Sequence, residues 1–176
     1  VNKMMENKWL GSKTGQGFYK KEGKDILTLD LDTLEYRANK KASFATLELT
    51  KTIEKPIDRF KVLVTGKDKA GDFYRKNFAS MFQYCSNRIP EITDAFYKID
   101  DAMKAGFGWE NGPFEIWDAI GVEKGIELMK AEGYQPASWV TDMLASGNTS
   151  FYSIKDGATH FYSITNKKVE KIPGQD

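Results

Sequence analysis

The sequence has one cysteine and one histidine in 176 residues, so two chemistries are thin from the outset. A single thiol, Cys85, excludes an internal disulfide and fits a reducing compartment, with the cytoplasm as the expected location. No His/Cys cluster has metal-ligand spacing. No apolar run approaches the roughly 20 residues of a membrane-spanning helix, and no signal-peptide pattern appears. Charge of one sign is not in excess: 26 Lys and Arg stand against 25 Asp and Glu. That balance gives no electrostatic case for nucleic acid or an anionic membrane. No Gly-x-Gly-x-x-Gly follows a strand and no βαβ alternation is present, so no dinucleotide-binding half is expected. Aromatics, at 13%, are plentiful and spread along the chain, which predicts a globular fold rather than disorder. Opening at Val1 rather than Met suggests a processed product or a cut piece.

The chain is organised around residues 87–121. Ala95, Ile99, Ala102 and Met103 share one helical face, with Asp100 and Asp101 pointing mostly the other way. Gly106 and Gly108 stop this helix, because glycine takes the left-handed conformation that closes a helix end. Gly112-Pro113 restarts it, since proline suits a first helical turn. Phe114, Trp117 and Ile120 form an apolar stripe, and Gly121 ends the second helix. The expectation is two helices joined by a glycine elbow around a packing core.

On either side the pattern is plainer. Residues 1–10 read as a helix end, and the glycine cluster through Gly15 and Gly17 as a turn into a strand. It is not read as a phosphate cradle, which would follow a strand and open a helix. Phe18-Tyr19 and Ile26–Leu29 predict a hairpin, and residues 32–42 a polar loop or linker. Ser43 is a plausible N-cap for a helix over 43–54. Pro56 breaks it before a second short helix or extended piece. Residues 66–71 read as a turn, and Asp72 as the cap of a long helix with Phe73, Phe78, Met81, Phe82, Cys85 and Ile89 on one side. A helix over 122–130 ends at Gly133, and Pro136 opens another that ends at Gly147. Asp156-Gly157 between alternating runs predicts a second hairpin, and residues 174–176 should fray. Residues 9–29 and 143–164 echo one another: a helix end, then Phe-Tyr, then a hairpin.

Several of these strings carry a resemblance. Asn87-Arg88, Ile99-Asp100, Ala102-Met103, Gly106-Phe107-Gly108, Gly112-Pro113-Phe114-Glu115, Asp118 and Gly121 together resemble the C-terminal domain of L-3-hydroxyacyl-CoA dehydrogenases of fatty-acid β-oxidation, of the multifunctional type. Gly11-Ser12-Lys13-Thr14-Gly15-Gln16-Gly17-Phe18-Tyr19 is similar to the signature that closes the first C-terminal domain of that family. Larger members carry two such repeats. The resemblance therefore implies that residues 1–42 are the tail of a first repeat, with hairpin and linker. Residues 43–176 would be a complete second repeat with its closing hairpin.

The resemblance also places the family's NAD-binding domain and catalytic His and Glu outside this chain. His160, in a predicted hairpin strand, is read as a half-exposed strand residue and not as a general base. Cys85 is read as a buried, inert thiol. The carboxylates Asp100, Asp101, Glu110, Glu115 and Asp118 bracket the elbow. An acid/base pair or a polar-substrate site is one reading; helix caps and ties to backbone N–H groups is the favoured one. Asn87 stands out, because the matching Asn of a first repeat lies beside the substrate's reacting end. In a second repeat it would hold the helix pair together or face another domain.

The fold class expected is mainly α with two small β-hairpins. The function expected is that of the C-terminal helical part of an NAD-dependent 3-hydroxyacyl-CoA dehydrogenase, serving interdomain packing, dimerisation or closure of the acyl-CoA site. Alone, it should be inactive. No residue here is assigned to catalysis, to a cofactor or to a metal. The partners implied are an N-terminal Rossmann domain, a first repeat, acyl-CoA in the parent enzyme, and a homodimer. A free-standing helical interaction module is the competing class.

Overall fold

The computed structural model describes residues 1–174, so Gln175 and Asp176, expected to fray, lie outside the described residues. Two compact units are separated between Ser43 and Phe44.

The first unit holds α1 (Asn2–Glu6), a 3₁₀ turn (Ser12–Thr14), β1 (Tyr19–Glu22), β2 (Asp25–Leu29) and β3 (Tyr36–Ala38). The expected hairpin forms, with Glu22 facing Asp25 across its turn. Residues 32–42 are more than a loop, because β3 adds a third antiparallel strand with Leu29 facing Tyr36. Three residues carry too short an alternation to read as a strand. The connection before them makes the pairing: the Asp30 carboxylate accepts N–H bonds from Asp32 and Thr33, and Leu34 turns the chain at φ 60°. Met4 and Leu29 are buried, the Trp9 ring lies 5.8 Å from that of Tyr36, and the Tyr36 hydroxyl donates to the Gly17 carbonyl.

The second unit begins with α2 (Ala45–Thr50), α3 (Pro56–Thr65) and α4 (Lys69–Asn87). Ser43 does not cap α2. Asp68 does that work instead, accepting from the Thr46 N–H at 2.9 Å and its hydroxyl at 2.8 Å. The same carboxylate accepts from the Gly71 N–H at 3.0 Å and so caps α4, which starts before Asp72. These N–H donors, that of Thr46 first, hold the Asp68 carboxyl down to about 2. Phe73 lies about 140° around α4 from the buried Phe78 and is 60% exposed, contrary to its expected place in the packed face.

Next come α5 (Tyr97–Phe107), α6 (Pro113–Ile120), α7 (Val122–Ala131) and α8 (Ser138–Ala145). The chain closes with β4 (Tyr152–Lys155), β5 (Ala158–Ser163) and β6 (Lys168–Lys171) in one antiparallel sheet. The hairpin turn is Asp156-Gly157, both at positive φ, as a two-residue hairpin turn requires. A third strand, β6, again extends what the sequence shows as a hairpin. The core is aromatic: Phe82 stacks on Trp117 at 4.7 Å, and Phe96 touches the rings of Phe114, Trp139, Phe151, Tyr152 and Phe161. Such buried rings contribute large apolar area and roughly 0.5–1.5 kcal/mol per well-placed pair beyond it.

Candidate functional site

The elbow between α5 and α6 is where the family-like residues meet. Gly108, at φ 66°, closes α5; Gly106 lies inside that helix, so only one of the two glycines is the left-handed stop. At the start of α6 the N-cap is Gly112, which has no side chain to cap with. Asp100 reaches across from α5 in its place. Its carboxylate accepts from the N–H groups of Phe114 at 2.9 Å and Glu115 at 3.0 Å. A methyl group on Gly112 would collide with Asp100, so the glycine makes room for the cap supplied from afar. Glu115 completes the other half of a capping box, accepting from the Gly112 N–H at 2.8 Å and pairing with Lys104 at 2.7 Å. Asp100 is therefore fully buried rather than turned away from the apolar face.

One helical turn on, Asp118 ties α6 to the closing sheet. Its two oxygens accept from the Phe151 and Tyr152 N–H groups at 2.7 and 2.8 Å. The Tyr152 hydroxyl returns to Asp100 at 2.8 Å. Asp100, Tyr152 and Asp118 thus join α5, α6 and β4. Burial pushes the Asp100 carboxyl up to about 6, against the pull of its donors, and that of Asp118 up to about 7. Burial, and then the Asp100 charge, push the Tyr152 phenol far above its ordinary range. A cavity of about 510 Å³ opens beside this cluster, walled by Tyr97, Lys104, Glu115 and Ile172 among others.

Among the remaining candidates, Phe114 joins the cluster through its N–H on Asp100. Pro113 and Phe114 are buried at the start of α6, and Gly121, at φ 104°, ends it. Gly15 (φ 79°), Gly17 and Phe18 belong to the first unit. A methyl on Gly17 would press on the Gly11 backbone. Asn87 is exposed, and its amide donates to the Gln83 carbonyl of its own helix at 2.8 Å. It shares a stripe of α4 with exposed Phe73, Asn77, Ser80 and Tyr84. His160 is half-buried in β5 with Nδ1 3.1 Å from the Ala158 carbonyl. Cys85 is half-buried, and burial raises its thiol to about 11, leaving little thiolate at neutral pH. The sequence reading missed the Tyr152 hydroxyl and the Lys104–Glu115 pair. The elbow itself held the signal for the second, with a lysine and a glutamate flanking its glycines.

Among the described residues no group of three or more His, Cys, Asp or Glu side chains could hold a metal ion, and no helix is long and apolar enough to cross a membrane. Both sheets among the described residues are antiparallel, and Gly106-Phe107-Gly108 closes a helix.

The buried carboxylates of this helical module hold its own joints. Residues 78–155 match the model described as 3-hydroxyacyl-CoA dehydrogenase, C-terminal domain, which supports a C-terminal domain of that enzyme. The chain is 43% identical over 162 residues to a "Probable 3-hydroxyacyl-CoA dehydrogenase" of Bacillus subtilis (strain 168), across 92% of this chain and 20% of that protein. It is 28% identical over 120 residues to a "Putative fatty acid oxidation complex trifunctional enzyme" of Rickettsia felis, across 66% of this chain and 15% of the relative. The Rickettsia prowazekii protein of the same name is 27% identical over 132 residues, 73% of this chain and 17% of the relative. The chain thus spans a fifth or less of the curated relatives it matches. No solved structure matches it significantly.

Proposed function

We propose that this chain is the C-terminal helical part of an NAD-dependent enzyme that oxidises 3-hydroxyacyl-CoA to 3-oxoacyl-CoA. Residues 1–42 would be the tail of a first repeat and residues 43–176 the second. The chain would pack against the Rossmann domain and first repeat, or against a second subunit, and help close the acyl-CoA site. The parent would work in the cytoplasm.

The observation that carries this reading is the commitment of Asp100 and Asp118, the buried carboxylates of the family-matched domain, to backbone N–H groups. Carboxylates held this way position elements and leave proton transfer to residues elsewhere. The exposed α4 stripe, with the rings of Phe73 and Tyr84 among the polar Asn77, Ser80 and Asn87, supplies a face for another domain. NADH formation from a 3-hydroxyacyl-CoA tests the reading. The isolated chain should give no turnover and the parent protein should give turnover. Turnover by the chain alone would overturn the packing role; a parent without turnover would overturn the dehydrogenase.

A further inference from the structure

The two small sheets are built to one plan. Tyr19 faces Thr28 as Tyr152 faces Phe161, and Glu22 faces Asp25 as Lys155 faces Ala158. Leu29 faces Tyr36 as Tyr162 faces Val169. The Leu29 N–H donates to the Phe18 carbonyl at 2.9 Å, and the Tyr162 N–H to that of Phe151 at 2.9 Å. The connections to the third strand agree as well. Thr33 N–H meets the Asp30 side chain as Asn166 N–H meets that of Ser163. Leu34 and Lys167 then take positive φ at matching places.

Their surroundings differ. Phe151 is 1% exposed, whereas its counterpart Phe18 is 51% exposed. Tyr19 and Ile26, counterparts of Tyr152 and Thr159, are also exposed. The face of Tyr152, Ile154 and Thr159 is one wall of the cavity whose other wall is α5 and α6, with Tyr97, Lys104, Glu115 and Asp118. The matching face of Tyr19, Lys21 and Ile26, with Phe18, borders an open, largely apolar groove of about 590 Å³. Register also orients the backbone. In an antiparallel pair the residue after a hydrogen-bonded position points its N–H away from its neighbour strand. Tyr152 does so toward Asp118, and Tyr19 holds the same position.

We infer that the Phe18–Tyr19–Ile26 face docks a helix–elbow–helix pair of the first repeat, whose second helix carries an aspartate for the Phe18 and Tyr19 N–H groups. The inference rests on residues 1–42 being the tail of that repeat. Its occupant is specified by what covers the matching face of the second sheet: a short amphipathic helix, aromatic on its inner side, with an aspartate in its last turn. Bound this way, Phe18 goes under cover as Phe151 does, and the groove becomes a cavity.

Amide hydrogen exchange tests it, comparing this chain with the parent protein, and NADH formation is assayed on the same samples. In the chain alone the Phe18 and Tyr19 amides should exchange fast and those of Phe151 and Tyr152 slowly. In the parent, Phe18 and Tyr19 should slow by roughly tenfold or more, the effect of one added charge-assisted bond. Replacing the aspartate that stands in the parent's first repeat where Asp118 stands here, as Asp→Asn, should restore fast exchange at those two amides. Equal exchange of Phe18 and Tyr19 in chain and parent would overturn the docking, even in a parent that oxidises substrate. Protection that appears in the chain alone and grows with concentration would overturn it too, by showing a second copy as the occupant. Protection in a parent without turnover would uphold the docking and reject the dehydrogenase.

Discussion

Replacing Asp118 with Asn should weaken the joint between α6 and the closing sheet. The wild-type carboxylate accepts two short bonds from the Phe151 and Tyr152 N–H groups. Asparagine keeps one acceptor oxygen and turns an amide toward the other N–H, which loses its partner. A hydrogen bond to a charged group contributes about 1.5–3 kcal/mol, and an orphaned buried donor costs about 1–3 kcal/mol. Burial works against the charge and pushes the carboxyl up to about 7, so part of that gain is already offset at neutral pH. The net loss should therefore be near the lower end, about 2 kcal/mol, or a fall of roughly 4–8 °C in Tm for a chain of this size. Fluorescence of the buried Trp117 and Trp139 reads the second unit directly. Exchange at the Phe151 and Tyr152 amides should rise in parallel. Glu127→Gln, which breaks only the exposed Lys124 pair, is the control and should cost about 0.5 kcal/mol or less. An Asp118→Asn melt indistinguishable from the control would refute the argument that this carboxylate holds the sheet.

Three further outcomes are expected. The carboxyls of Asp100 and Asp118 stand above the ordinary value of 3.8, so the folded chain binds protons that the unfolded chain has released. This pair's contribution to stability should then fall as pH rises from about 4 to about 7, and urea midpoints across that range would read the sign; a flat or rising profile that Asp118→Asn leaves unchanged would contradict it. Gly108→Ala, at positive φ, should cost about 1 kcal/mol, whereas Gly106→Ala, inside the helix with open space around it, should be neutral or stabilise by up to about 1 kcal/mol; thermal melts in the opposite order would misplace the helix stop. Gly112→Ala should cost roughly 3 kcal/mol or more by driving a methyl into Asp100, and a variant that melts like wild type would show that the elbow has room to spare.

The helices were legible where period and punctuation agreed. Phe114, Trp117 and Ile120 marked a buried face, and Pro113 and Gly121 marked its ends. What failed did so for physical reasons. Asp72 looked like a cap because it opens an apolar run, but Asp68 also reaches Thr46, a contact 22 residues back that no local pattern shows. Ser43 lost its expected role to the same carboxylate. β3 and β6 are short strands whose partners lie across a turn, so register rather than alternation defines them. Asp100 looked exposed by helical phase. It is buried because α6 brings two N–H groups and Tyr152 a hydroxyl to meet it, a balance visible only once the elements are assembled.

The residues that made this sequence recognisable are joints. Asp100 caps a helix that begins with a glycine, and that glycine is required because the cap arrives from elsewhere. Asp118 fixes the next element through its backbone, so the sequence of the closing sheet is free wherever it presents only N–H groups. Gly125 follows the same logic, since a side chain there would strike the Trp117 indole that donates to the Val122 carbonyl. A pattern of carboxylates and glycines at fixed spacing can therefore look like a reaction centre while specifying three contacts between elements. Each carboxylate makes several short bonds to fixed donors and lies within or beside the aromatic core. Held in this way, Asp100 fixes the start of α6 and Asp118 fixes the closing sheet, so two carboxylates set how three elements meet.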